Sequence, residues 1–283
     1  MPSTDVYIIQ FDPVAFEIFG FPIHWYGITY LAAFSLGWMV TRYLARTHTS
    51  WKVKPEQVDD LLFYMGLGVI LGGRIGYLLF YDMGNIINEP TFFDSFIRLI
   101  SIHKGGMSFH GGFLGAMLAI WFYNRKYKHG YFVIVDMMAI IAPIGLLAGR
   151  VGNVINGELW GKPTDVAWAM IFPKANLNPA IEMDLPRHPT PIYEAALEGV
   201  VLFVIIWIFA RKDRPTMAIS GVFALGYGLA RSFVEFYRLP DAHIGYLLNT
   251  GWLTMGMLLS APLIMVGIAL LLHSYNRTIV QKA

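Results

Sequence analysis

An all-α, polytopic membrane protein of about seven transmembrane helices is the fold class this sequence predicts, and three observations carry that reading. Of 283 residues, 56% are apolar and only 14% are Asp, Glu, Lys or Arg, where a soluble domain holds roughly 25% charged residues. Apolar runs recur along the whole chain with short basic links between them, and a run of roughly 20 residues is long enough to cross a bilayer as a helix. The high aromatic content, 15%, suits a chain with two lipid–water interfaces. Helices are the expected element because each satisfies its own backbone groups in hydrocarbon.

The runs lie at 23–43, 58–81, 107–123, 131–149, 193–210, 219–237 and 252–272. Before the first, Asp5, Asp12 and Glu17 stand where a secretory leader would carry lysine or arginine, so no cleaved signal peptide is expected. Alternate connections hold Arg42, Arg46, Lys52 and Lys54, then Arg125, Lys126 and Lys128, then Arg211, Lys212 and Arg214, and finally Arg277 and Lys282. The opposite set is sparser: Arg98, Lys104, Lys162, Lys174, Arg187 and Arg238. Cytoplasmic loops carry the basic excess, so the amino terminus is expected outside and the carboxyl terminus in the cytoplasm. Residues 1–283 read as a single integral membrane domain. The one long connection, 151–191, is expected to form a small external cap or inserted subdomain between the fourth and fifth spans.

The charge balance excludes some functions. Formal charge is +2, from 21 basic and 19 acidic residues, and no basic stripe marks a nucleic-acid partner. Cysteine is absent, so the chain offers no disulfide, thiolate metal site or cysteine nucleophile. His48, His103, His129, His188, His243 and His273 form no zinc-binding pattern, and no metal or cofactor is expected.

Three arginines remain inside the runs, Arg74, Arg150 and Arg231, where a charged group costs about 2.5–3.5 kcal/mol and needs a partner or a task. Traced in the expected direction, all three fall toward the outer face. His24, Tyr26, His110, Tyr193, Glu194, Glu198 and Glu235 fall there too. Guanidinium groups match phosphate oxygens, and the most abundant anion at that depth is a lipid phosphate. Pairing of Arg231 with Glu235 at i, i+4, and snorkelling of Arg74 and Arg150, explain the same residues without a ligand. Gly68, Gly72 and Gly76, Gly111 and Gly115, and Gly145 and Gly149 recur at every fourth position, the spacing of close helix packing. His110 has the residue type of a general base, and equally of a hydrogen-bonded core histidine. The Gly149 to Gly161 stretch, with Asn153, Asn156 and Glu158, suits either a turn whose backbone donors face a phosphate or an ordinary helix cap.

Several motifs occur together: His24-Trp25-Tyr26-Gly27, Leu71-Gly72-Gly73-Arg74-Ile75-Gly76-Tyr77, Gly105-Gly106-Met107-Ser108-Phe109-His110-Gly111-Gly112, the Gly149 to Gly161 stretch, Pro186-Arg187-His188-Pro189, and Tyr227-Gly228 through Arg231 to Val234-Glu235-Phe236. In these the chain resembles the bacterial prolipoprotein diacylglyceryl transferases across nearly its whole length; 173–185 aligns least. The resemblance implies transfer of the diacylglyceryl group of phosphatidylglycerol to the lipobox cysteine thiol in the signal peptide of a preprolipoprotein, at the inner membrane, with glycerol phosphate released. It further implies that Arg150 and Arg231 are essential and engage the lipid head group, that His110 and Tyr26 are required, and that Asn153, Glu158, Gly161 and Glu235 line or support the site. Arg74 is added as a head-group candidate from its position in the second span.

The rival reading is a membrane transporter of an organic anion, which predicts inverted repeats that the sequence does not display. A retinal protein needs a Schiff-base lysine that 252–272 lacks. An intramembrane serine protease needs a Gly-x-Ser-x-Gly turn, and Gly106 to His110 lacks its last glycine.

Overall fold

A computed structural model describes residues 6–88, 91–101, 105–177, 185–240 and 244–282. His103, Lys104 and His243 lie outside them. Strand β1 (Tyr7–Ile8) and the hairpin β2 (Val14–Ile18) and β3 (Phe21–His24) lead into α1 (Trp25–Thr47). Helix α2 (Pro55–Tyr77) runs on through a π-turn into α3 (Met83–Ile87), followed by α4 (Phe92–Ile100), α5 (Phe109–Tyr127) and α6 (Tyr131–Asn156). Strand β4 (Met170–Ile171) lies in the long connection; then come α7 (Thr190–Glu194), a π-helical segment Ala195–Val201, α8 (Leu202–Ala210), α9 (Ala218–Glu235) and α10 (Met255–Lys282).

Each expected span is occupied by helix. Among the described residues, however, four helical stretches are long and apolar enough to cross a membrane by themselves: Pro55–Ile87, Tyr131–Asn156, Thr190–Ala210 and Met255–Arg277. The reason α1, α5 and α9 fall short is legible in them. Their glycines and polar residues, such as Thr29, Ser35 and Thr41 in α1 or Ser220, Tyr227 and Arg231 in α9, dilute the hydropathy. Large apolar side chains including Phe63, Leu79, Leu114, Leu118, Ile208, Leu259 and Met265 are exposed, a surface suited to lipid rather than water.

The chain divides into two compact units, one of residues 1–40 with 136–283 and one of 41–135. In the second, α2 and α5 meet through glycine. A Cβ on Gly115 would lie 2.0 Å from the Gly68 carbonyl oxygen, and one on Gly72 would lie 2.3 Å from that of Gly111. The four-residue spacing is therefore a packing device. Ser108 starts α5 by accepting the Gly111 N–H at 3.3 Å.

In the first unit, α9 and α10 approach in the same way: a Cβ on Gly267 would meet the Leu225 nitrogen at 2.5 Å, and one on Gly221 would meet Leu271 at 2.9 Å. Asp136 of α6, almost fully buried, caps α9 by accepting the Met217 and Ser220 N–H groups at 2.7 and 2.8 Å. Gly149 sits against Tyr30, but nothing lies within 4 Å of where a Gly145 Cβ would be, so close packing explains only one of that pair. In the long connection, β4 pairs in parallel with β1, and Phe172, Ala175 and Ile9 form a small core covered by Val154, Trp160 and Met170.

Candidate functional site

Site residues in the first unit gather where the ends of four helices meet. Arg150 lies two turns before the end of α6. Its Nε is 3.1 Å from Glu194, Nη2 is 3.3 Å from Glu198, and Nη1 donates to Asn153 Oδ1 at 3.5 Å. Arg231, in the last turns of α9, pairs with Glu194 through Nη1 and with Glu235 through Nη2. Arg238 joins them, 3.3 Å from Glu194 and 3.8 Å from Glu235. Three guanidinium groups thus meet three carboxylates. Glu194 and Glu198 are fully buried and Glu235 nearly so, whereas the arginine side chains keep 18%, 15% and 13% of their surface exposed. The carboxylates are thus the buried partners and the arginines the partly exposed ones.

The i, i+4 pair of Arg231 with Glu235 is present, and Glu194 and Glu198 add partners for Arg150 and Arg231. A buried charge is tolerated only when paired, and the carboxylates that match Arg150 and Arg231 also fix their planes. The guanidinium groups are preorganised donors rather than loose cations. Among the described residues the buried Glu198 Oε1 makes no hydrogen bond. Glu198 lies in the π-helical segment, an irregularity frequent at functional sites.

The end of α6 is built around Gly157, whose φ of +61° places it in the left-handed region. Gly157 N–H donates to Val154 O at 3.0 Å and Glu158 N–H to Asn153 O at 3.1 Å, the paired bonds of a Schellman cap. Gly161 and Lys162 donate in turn to His188 and Tyr237. Of the two open readings of this stretch, the helix cap is the one observed, since these backbone donors are already used. What the turn delivers is side chains: Glu158 accepts from Asn153 at 2.8 Å and Asn156 at 3.3 Å, which ties Asn153 to the Arg150 contact. Gly161 permits close approach, because a Cβ there would lie 2.6 Å from the Tyr237 carbonyl and 2.8 Å from His188.

Tyr26, in the first turn of α1, lays its ring over Gly152, where a Cβ would come within 2.4 Å. Its hydroxyl is 3.5 Å from that of Tyr30. His188 is held by the Tyr193 hydroxyl, 3.0 Å from Nδ1, and Tyr193 accepts from Trp168 Nε1 at 2.7 Å. The indole can only donate, so the Tyr193 hydroxyl accepts from Trp168 and bridges the indole and His188. Burial and the nearby Lys162 hold His188 below the usual histidine range.

Arg74 and His110 belong to the other unit. Arg74 is buried, with Nη1 donating to Gly105 O at 2.7 Å and Gly106 O at 3.1 Å and Nη2 to Arg98 O. These contacts make it a clamp on the chain entering α5. His110 stands exposed in the first turn of α5, edge-on to Phe109.

The sequence places Glu194 and Glu198 at the outer face with the arginines, one turn apart in the fifth run, without giving them a role, and it leaves Arg238 and Thr254 outside the candidate set. Nothing local marks Thr254.

Comparison with known proteins adds what geometry cannot. Residues 13–273 match the prolipoprotein diacylglyceryl transferase family. A relative from Pseudomonas fluorescens (strain SBW25), named phosphatidylglycerol–prolipoprotein diacylglyceryl transferase, is 51% identical over 269 residues, 95% of each chain. One of the same name from Pseudomonas aeruginosa (strain LESB58) is 48% identical over 273 residues, 96% of this chain and 97% of its own. The chain therefore belongs to the prolipoprotein diacylglyceryl transferase family.

Proposed function

We propose that this transferase moves the sn-1,2-diacylglyceryl group of phosphatidylglycerol onto the lipobox cysteine thiol of a preprolipoprotein, forming a thioether and releasing glycerol phosphate. The observation that carries the reading is the layer of three arginines held on buried carboxylates, each arginine side chain still partly exposed. Such a layer takes the oxygens of a phosphodiester without paying again to orient its donors. In the reaction the carbon–sulfur bond forms at the glyceryl carbon as its bond to phosphate oxygen breaks. Negative charge then grows on the leaving phosphate, where Arg150 and Arg231 stabilise it; one such donor is typically worth about 2.7–4 kcal/mol.

The incoming thiol has an ordinary pKa of about 8.5 and is mostly protonated at neutral pH. His110 accepts that proton, directly or through water, and its exposed position at the start of α5 suits the task. Tyr26, Asn153, Glu158, Gly161 and Glu235 support the head-group site, and Arg74 acts through the segment it clamps. The chain is read as seven spans of the bacterial inner membrane, amino terminus outside and carboxyl terminus cytoplasmic, with 151–191 as an external cap. The asymmetry of basic residues between alternate connections supports that direction.

The test is purified protein in phosphatidylglycerol nanodiscs with a lipobox peptide. One thioether-linked product should form per glycerol phosphate released, and a Cys→Ser peptide should give none. Absence of product, or anion flux without transfer, would overturn the reading in favour of a transporter.

A further inference from the structure

We propose that Thr254 and Gly256, at the start of α10, are positioning residues for the transfer reaction: they form a seat for the Glu235 carboxylate, and through it set the orientation of Arg231 and Arg238. The proposal rests on the function argued above and adds residues that neither composition nor motif singled out.

The seat has two parts. Thr254 is 2% exposed, and its hydroxyl donates to Glu235 Oε2. Thr254 Oγ1 also accepts the Met257 N–H at 3.2 Å, and the Thr254 carbonyl accepts the Leu258 N–H at 3.1 Å. A hydroxyl has one proton and two lone pairs. Spending a lone pair on the helix cap and the proton on the carboxylate makes Thr254 the joint between α10 and Glu235. Gly256 supplies the space. A Cβ there would lie 2.5 Å from Glu235 Cδ and Oε1 and 2.9 Å from Oε2, so any side chain would drive the carboxylate from its place.

Glu235 passes this constraint on. It is 3% exposed, pairs with Arg231 one turn before it, and lies 3.8 Å from Arg238 Nε. Arg231 is thereby gripped at both terminal nitrogens, by Glu194 and by Glu235, which defines the plane of its fork. With Glu235 loose, Arg231 keeps one anchor and can rotate about it. α10 is a long helix packed along α9 through Gly221, Gly228 and Gly267, so the seat stands on a rigid support.

The experiment compares Thr254→Val, Thr254→Ser and Gly256→Ala in the full chain, in phosphatidylglycerol nanodiscs, with the lipobox peptide as acceptor. A misplacement of about 1 Å in a positioning group can cost about 100-fold in rate. Thr254→Val and Gly256→Ala should therefore lower kcat/KM for phosphatidylglycerol by at least about tenfold, with KM for the peptide unchanged. Thr254→Ser, which keeps the proton and the cap, should restore near wild-type values. Thermal unfolding separates the seat from the cap: losing only the cap lowers the melting temperature without changing kcat/KM of the folded fraction. Wild-type kcat/KM in Thr254→Val overturns the proposal, as does an equal loss toward lipid and peptide, or failure of Thr254→Ser to rescue. If Gly256→Ala does not fold, the valine–serine pair decides alone. An inactive wild-type protein would sink the proposed reaction; an active one with active variants would sink only the seat.

Discussion

Glu194 is the carboxylate on which the arginine layer turns, and Glu194→Gln is the perturbation that tests it most directly. The side chain is fully buried and serves Arg150 at 3.1 Å, Arg231, and Arg238 at 3.3 Å. Glutamine keeps the shape and one acceptor oxygen, but turns an amide N–H₂ toward guanidinium groups that need an acceptor. Three cations are then left with two anions in a water-poor site. Removing one partner of a buried ion pair costs about 3–5 kcal/mol, and the retained acceptor places this variant near the lower figure. If half or more of that free energy holds the donors in their working orientation, kcat/KM falls by at least about tenfold, at roughly 1.4 kcal/mol per factor of ten. Glu198→Gln is the control, since Glu198 makes one contact to Arg150 at 3.3 Å and leaves its other oxygen unpaired. It should cost about 1.5 kcal/mol or less. The measurements are thermal unfolding in nanodiscs and initial rates of transfer from phosphatidylglycerol to a lipobox peptide. Wild-type stability and rate in Glu194→Gln, or equal losses in the two variants, would refute the reasoning.

Arg231→Lys retains the charge and removes the fork, so transfer should drop by about 100-fold or more, the usual loss of one transition-state donor; normal transfer would show that bidentate recognition is not required. His110→Asn should lower kcat/KM by about 100-fold or more, the usual contribution of a general base, and wild-type turnover from pH 6 to 9 would take the imidazole out of the mechanism. His188 is held below its ordinary value of 6.5, so the unfolded chain binds the proton more readily and stability declines as pH falls below that value. Melting temperatures between pH 8 and 5 should fall less for His188→Gln than for the wild type, and parallel curves would count against the assignment.

How much was legible in the sequence follows from what is local. Hydropathy over a run of roughly 20 residues decides whether a helix belongs in hydrocarbon, and all seven expected stretches are indeed helical. The four-residue glycine spacing was a contact pattern, and Gly68, Gly72, Gly111 and Gly115 meet backbone to backbone. Gly145 shows where the pattern misleads, because spacing names a face without saying that a neighbour covers it. Family motifs pointed to Arg150 and Arg231, and the four-residue spacing pointed to the Arg231–Glu235 pair, which is present.

Tertiary structure alone supplied the partners. Glu194 contacts three arginines, from 44 residues before it to 44 after it, and Thr254 reaches Glu235 across a helix connection. Insertion into a membrane is a sum over neighbouring residues, so a linear chain displays it. The compensation and orientation of a buried guanidinium depend on which carboxylate stands about 3 Å away in space, and chain order does not carry that distance.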